Sequence, residues 1–156
     1  HGAGQIIVAD LVQARLDKAM ELGATAVINS GEEDALEKIM ELTVGRGADV
    51  VFETAGSPVT IAQTPFIVRR GGTITLVGIS SEINYNFGQI MDKEATIKSV
   101  FRYKNIYPKA IAAVASGAID VKSIVTHEFD LDHIKDAYDE AVNNKTDLVK
   151  AVIKVK

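Results

Sequence analysis

The sequence predicts an α/β fold, a doubly wound parallel sheet, on three observations. Short apolar runs alternate with amphipathic stretches of about ten residues, four times within the first half of the chain. The runs lack the polar-out alternation of a sheet with one wet face, so both faces are expected to be covered. Right-handed crossovers then leave a doubly wound open sheet as the economical topology.

The elements follow in order. Gln5-Ile-Ile-Val-Ala-Asp10 is an apolar run ending in one carboxylate. Apolar residues recur at Leu11, Ala14, Leu16, Ala19, Met20 and Leu22, close to helical spacing, and Gly23 supplies the stop. Ala24–Asn29 is the next strand. Ser30-Gly-Glu-Glu-Asp34 is a capped, acidic start to a helix over Ala35–Thr43. Ala48–Phe52 is a short strand, after which Pro58 sits at the first turn of a helix through Ile61, Ala62, Phe66 and Ile67. Pro65 is expected to kink that helix. Gly71-Gly72 is expected to turn the chain into a strand over Thr73–Ile79.

The second half changes character. Ser80–Gln89 is polar, Ile97–Phe101 is a strand, and Arg102–Pro108 is a loop dense in aromatic and basic residues. Ala110–Ser116 is a helix ended by Gly117. Ile124–Phe129 and Ala151–Val155 are strands flanking an amphipathic helix over Leu131–Val142, with Asp130 as its expected cap. The domain reading is residues 1–101 for a sheet domain and 102–156 for a segment belonging mostly to something else.

Composition narrows the function. The 156 residues are 47% hydrophobic, enough for one domain with a core and short for a two-domain enzyme. A net charge of −4 without a basic run argues against nucleic acid, and no apolar run approaches a membrane span of about 20 residues. The absence of Cys excludes disulfides and cysteine-ligated metals in these residues and fits a reducing cytoplasm. The first residue is His1, which suggests a fragment or a trimmed chain.

A buried strand that delivers one acid to the end of a parallel sheet is how dinucleotide-binding folds hold the adenosine ribose of NAD. In that fold the acid follows a glycine-rich phosphate turn by about 20 residues. Here the acid is at position 10, so the turn and the first strand that carries it are missing. The alternative for Asp10 is a cap on the following helix. Arg15 can lie along the adenosine, pair with Asp10, or face solvent. Thr54-Ala-Gly56 and Val77-Gly-Ile79 each close a strand, where ligands of open α/β sheets bind, or are ordinary turns. Phe101-Arg-Tyr103 can hold a polyhydroxylated substrate or a cofactor amide, or be a loop with one surface Arg. His127 and His133 lack the partners of a metal site, and His127, in a strand, reads as structural.

Together these pieces resemble the medium-chain zinc-dependent alcohol dehydrogenases, and within them the sorbitol (polyol) dehydrogenase branch. The carriers are Val8-Ala-Asp-Leu11 with Arg15-Leu-Asp-Lys-Ala19, Glu21-Leu-Gly-Ala24, Val51-Phe-Glu-Thr-Ala-Gly56, and Arg70-Gly-Gly-Thr73 leading to Leu76-Val-Gly78. Val100-Phe-Arg-Tyr-Lys-Asn105 with Tyr107-Pro108, then Val125-Thr-His-Glu-Phe129, are the most specific, and the Val100-Phe-Arg-Tyr103 block narrows it to the polyol branch. The resemblance implies a Rossmann-type domain without its first strand and glycine turn, followed by a strand–helix–strand returning to a catalytic domain not present here. It implies that Asp10 and Arg15 hold the ribose of NAD. It also implies that Val77, Gly78, Ile79, Val100, Phe101 and Arg102 line the nicotinamide, and that Arg102 and Tyr103 contact a polyol. Catalytic zinc would be held by residues outside this chain, which alone is expected to bind NAD poorly and catalyse nothing. Family members form dimers or tetramers, making Ile83–Phe87 and Ile97–Phe101 candidate homo-oligomer contacts. Open alternatives are a threonine or butanediol substrate, or a nucleotide-binding module without chemistry.

Overall fold

The computed structural model describes residues 2–80, 82–144 and 146–155, and its chain divides into two compact units, His1–Glu33 with Asn105–Lys156 and Asp34–Lys104. All strand pairs are parallel and the connections are helical, as the sequence predicts for a doubly wound α/β fold.

In the first unit β1 (Ile7–Asp10) pairs with β2 (Ala26–Asn29), Ile7 opposite Ala26 and Asp10 opposite Asn29. The connecting helix α1 (Gln13–Glu21) packs on both strands and buries Leu16, while β2 buries Ile28. Among the described residues β1 has a strand on one edge only. In the strand order of dinucleotide-binding sheets, the glycine-turn strand would take its other edge.

The second unit holds α2 (Ala35–Leu42), β3 (Ala48–Glu53), α3 (Pro58–Ile67), β4 (Val68–Leu76), α4 (Phe87–Asp92) and β5 (Thr96–Ser99), with strand order β3-β4-β5. Val51, Ile74 and Ile97 share one rung of this sheet. Val51 and Ile74 form a core with Val68 and Ile90, against which Ile67, Leu76 and Tyr85 pack. Pleating sends Val50 and Phe52 to the opposite face, where they are 49% and 68% exposed.

One local expectation is corrected, at Gly71-Gly72, and two details are added. Pro65 lies inside α3 without ending it, and the helix runs on to Ile67. Proline leaves the carbonyl four residues back without its N–H, and here the Thr64 hydroxyl takes that carbonyl, Ile61 O, at 2.8 Å. Gly71-Gly72 is not a turn before a strand but lies inside β4. The register jumps from Ala48 opposite Val68 to Val50 opposite Thr73, so residues 69–72 bulge, and Gly71 N donates to Lys93 O. Within the polar stretch Ser80–Gln89, of which Ser81 lies outside the described residues, α4 begins at Phe87. Asn86 caps it by accepting from Gln89 N at 3.1 Å.

The remainder of the first unit contains α5 (Tyr107–Ala115), β6 (His127–Asp130), α6 (Ile134–Asn143) and β7 (Ala151–Lys154). The strands pair in parallel from His127 opposite Ala151 to Asp130 opposite Lys154. Asp130 makes no side-chain cap bond, against expectation. The chain leaves β6 through a 3-10 turn at Leu131–His133 before α6 begins. Helix α5 starts three residues earlier than its apolar run suggests because Pro108 is compatible with a first helical turn, and none of its residues is buried. Among the described residues, no helix is long and apolar enough to cross a membrane.

Candidate functional site

Strand β1 carries Asp10 to its carboxyl end, where its main-chain oxygen accepts from Ser30 N at 3.0 Å. The side chain divides its work. Oδ1 accepts from Val12 N at 2.9 Å, which bends the chain from strand toward helix, and Oδ2 lies 3.7 Å from Arg15 Nη1. The N-cap of α1 is Val12, which offers no side-chain cap, so Asp10 acts two residues ahead of the cap rather than as the cap itself. A separation of 3.7 Å is an ion pair without a hydrogen bond. The Oδ2 lone pairs thus remain open to hydroxyl donors, and the Asp10 and Arg15 side chains are partly exposed, at 29% and 45%.

In the second unit, the ends of β4 and β5 bring the other sequence-predicted residues side by side. Leu76 pairs with Ser99, and Val100 N donates to Leu76 O at 2.9 Å, extending the ladder by one bond. Val77, Gly78 and Ile79 therefore leave the sheet next to Val100, Phe101 and Arg102. Ile79 and Phe101 are about 70% exposed, at 72% and 70%. Apolar side chains at the carboxyl ends of parallel strands are where a flat aromatic ligand would be received. The Arg102 guanidinium carbon stands 4.9 Å from the centroid of the Phe101 ring, a cation–π contact that stiffens both. Tyr103 follows, also exposed.

One residue that sequence reading passed over organises these turns. Glu53, the last residue of β3, is 4% exposed. Its Oε1 accepts from Ala55 N at 3.1 Å, Gly56 N at 3.0 Å and Thr60 Oγ1 at 2.7 Å, and Oε2 accepts from Gly56 N at 3.2 Å. Its main-chain oxygen accepts from Val77 N at 2.8 Å and Gly78 N at 3.0 Å. The sequence shows only a carboxylate at the end of an apolar run followed by small residues; the donors that mark it as buried appear only in the fold.

His127 reads as structural. His127 stacks on Phe129 with centroids 6.5 Å apart, and its Nδ1 lies 3.0 Å from Thr126 Oγ1. Among the described residues no group of three or more His, Cys, Asp or Glu is placed to hold a metal ion.

Comparison with known proteins places these features in a lineage. The family model described as zinc-binding dehydrogenase matches residues 1–116. The chain belongs to the zinc-binding dehydrogenase family. Among members with curated names, the sorbitol dehydrogenase of Bacillus subtilis (strain 168) is 44% identical over 154 residues, which is 97% of this chain and 44% of that protein. A solved dehydrogenase of unknown specificity from Escherichia coli superposes with a TM-score of 0.91 at 48% identity, covering 99% of this chain and 45% of its own. A short chain alcohol dehydrogenase from Escherichia coli CFT073, solved with the cofactor NADH, gives a TM-score of 0.88 at 27% identity, covering 97% and 45%. The chain thus spans just under half the length of these zinc-binding dehydrogenase relatives, and its strand-and-helix order is the Rossmann-like one they share.

Proposed function

We propose that this chain is the greater part of the cofactor domain, residues 1–101, and the C-terminal segment, residues 102–156, of an NAD-dependent polyol dehydrogenase. The reaction would oxidise a secondary alcohol of a sorbitol-like substrate to a ketose. The observation that carries the reading is Asp10. It is a carboxylate at the carboxyl end of a parallel strand with one oxygen free of backbone hydrogen bonds. That oxygen suits the paired hydroxyls of an NAD ribose and repels the extra phosphate of NADP. Arg15 would lie along the adenosine, and Val77, Gly78, Ile79, Val100, Phe101 and Arg102 would line the nicotinamide. Arg102 and Tyr103 would hold hydroxyls of the polyol. When bound, the nicotinamide takes up the hydride that leaves the alcohol carbon. Zinc, which the family description names, would come from residues outside these 156. A cytoplasmic dimer or tetramer, with contacts along Ile83–Phe87 and Ile97–Phe101, completes the proposal.

The test uses the full-length enzyme that carries this chain. Asp10→Ala should weaken NAD binding about ten- to a hundredfold, the size expected for losing hydrogen bonds to a charged acceptor. It should also narrow the gap between NAD and NADP. Unchanged affinity and unchanged discrimination would reduce Asp10 to a turn residue. In the same background Arg102→Ala should lower turnover of sorbitol more than cofactor affinity, and unaltered kinetics would remove it from the site.

A further inference from the structure

Glu53 is the most deeply buried charged side chain at the carboxyl ends of β3 and β4, and the proposed chemistry leaves it unused. Each hydrogen-bond partner of its carboxylate among the described residues is a donor: two backbone amides of the turn after β3 and the hydroxyl of Thr60 in the first turn of α3. Such a set suits an acceptor-only group. The turn that these bonds fix, residues 54–56, lies against the turn after β4. A methyl group at Gly56, whose φ is +68°, would stand 2.8 Å from both Ile79 N and Ile79 O. One at Gly78 would stand 2.1 Å from Gly56 N and 2.6 Å from Glu53 Oε2. The two turns are in contact without an intervening side chain. The Glu53 carboxylate supports that contact from below, while its main-chain oxygen holds Val77 N and Gly78 N.

We propose that Glu53 is a positioning residue. Its carboxylate locks the turn at 54–56 against Gly78, and this sets the backbone of Val77–Ile79 in the shape that receives the nicotinamide. The proposal rests on the cofactor reading above for its last step only. The mechanical step, from carboxylate to Gly56 to Gly78, stands on the hydrogen bonds and close approaches alone. Backbone contact this close transmits a displacement because nothing between the two turns can yield.

Amide hydrogen exchange on this chain tests the mechanical step. Glu53→Gln preserves the shape but replaces one oxygen by an NH2 group, setting a donor against the Gly56 amide. It should speed exchange at Ala55 and Gly56 and, by at least about tenfold, at Val77 and Gly78. Amides of α2 should keep their protection. Thr60→Val removes a single donor without touching either turn and should produce a smaller increase at the same amides; this variant carries the test if Glu53→Gln does not fold. Ile39→Ala, which hollows the buried side of α2, controls for general destabilisation and should leave Val77 and Gly78 no more affected than the rest of the sheet. Faster exchange confined to Ala55 and Gly56, or spread evenly over all amides, would overturn the proposal.

The cofactor step is read separately in the full-length enzyme. Glu53→Gln should raise KM for NAD at least about tenfold and lower kcat, with KM for the alcohol unchanged. Loosened turns with unaltered NAD kinetics would overturn the positioning role. Failure of the unsubstituted enzyme to bind NADH would instead overturn the cofactor reading, and the exchange measurement would still decide whether Glu53 holds the turns.

Discussion

The contact between Gly56 and Gly78 makes Gly78→Ala the sharpest stability test of this structure. The added methyl group would sit 2.1 Å from Gly56 N, 2.5 Å from Gly56 Cα and 2.6 Å from Glu53 Oε2. The first two are backbone atoms and the third belongs to a carboxylate held by four bonds, so no flexible side chain can swing aside. Relief requires the two turns to part by about an ångström, which breaks or stretches the bonds onto Glu53. Overpacking of a close-packed site costs about 1–3 kcal/mol, and the upper end applies where backbone must move, so about 3 kcal/mol is expected. At about 2–4 °C per kcal/mol for a chain of this size, the midpoint should fall by roughly 6–12 °C. The assay is thermal and urea unfolding of three variants side by side. Gly4→Ala, which meets nothing within 4 Å, should be neutral. Gly23→Ala, also in open space but at φ +99°, should cost about 1–2 kcal/mol from backbone strain alone. A Gly78→Ala loss no larger than that of Gly23→Ala would refute the claim that the two turns are in rigid contact.

Two further outcomes follow from charge and backbone. The hydrogen bond from Arg69, reinforced by the attraction of Arg46 and Arg69, holds the Asp49 carboxyl below 3.8. Below that value the unfolded chain takes up the proton first, so stability falls as pH drops; Asp49→Asn should flatten this acid limb in urea titrations from about pH 5 to 2, and an unchanged limb would dismiss the pair. Val44 is β-branched, exposed and held at φ 53°, so Val44→Gly should raise stability by about 0.5–1 kcal/mol, the strain relieved less the added chain entropy, and a loss in unfolding experiments would show that its side chain packs usefully.

What the sequence made legible was the part governed by periodicity. Apolar runs located all five strands from Ile7 to Ser99, and helical spacing with Gly23 and Asp34 bounded α1 and α2 to within a few residues. The misses share a cause: each depends on where one polar atom finds its partner in three dimensions. Pro65 is tolerated inside α3 in the same way, the hydroxyl of Thr64 donating to the carbonyl that proline's missing N–H leaves free. Gly71-Gly72 looked like a turn because two glycines break strands, while the structure uses them to bulge one strand past another. Asp130 had the composition of a cap without the geometry. Of the candidate site, Asp10 and the turns after β4 and β5 were visible because strand ends are where ligands bind. Glu53 was not, because a glutamate at the end of an apolar run looks solvated until its donors are counted.

Helix α5 has a consequence for how the protein comes apart. Its nine residues bury no side chain, and isolated helices shorter than about 12–15 residues are marginal in water. Its free energy of opening therefore belongs near zero rather than near the global value. The chain should lose this segment first on heating, before any strand separates, and a protease should cut between Tyr107 and Ala115 while the sheets are still intact.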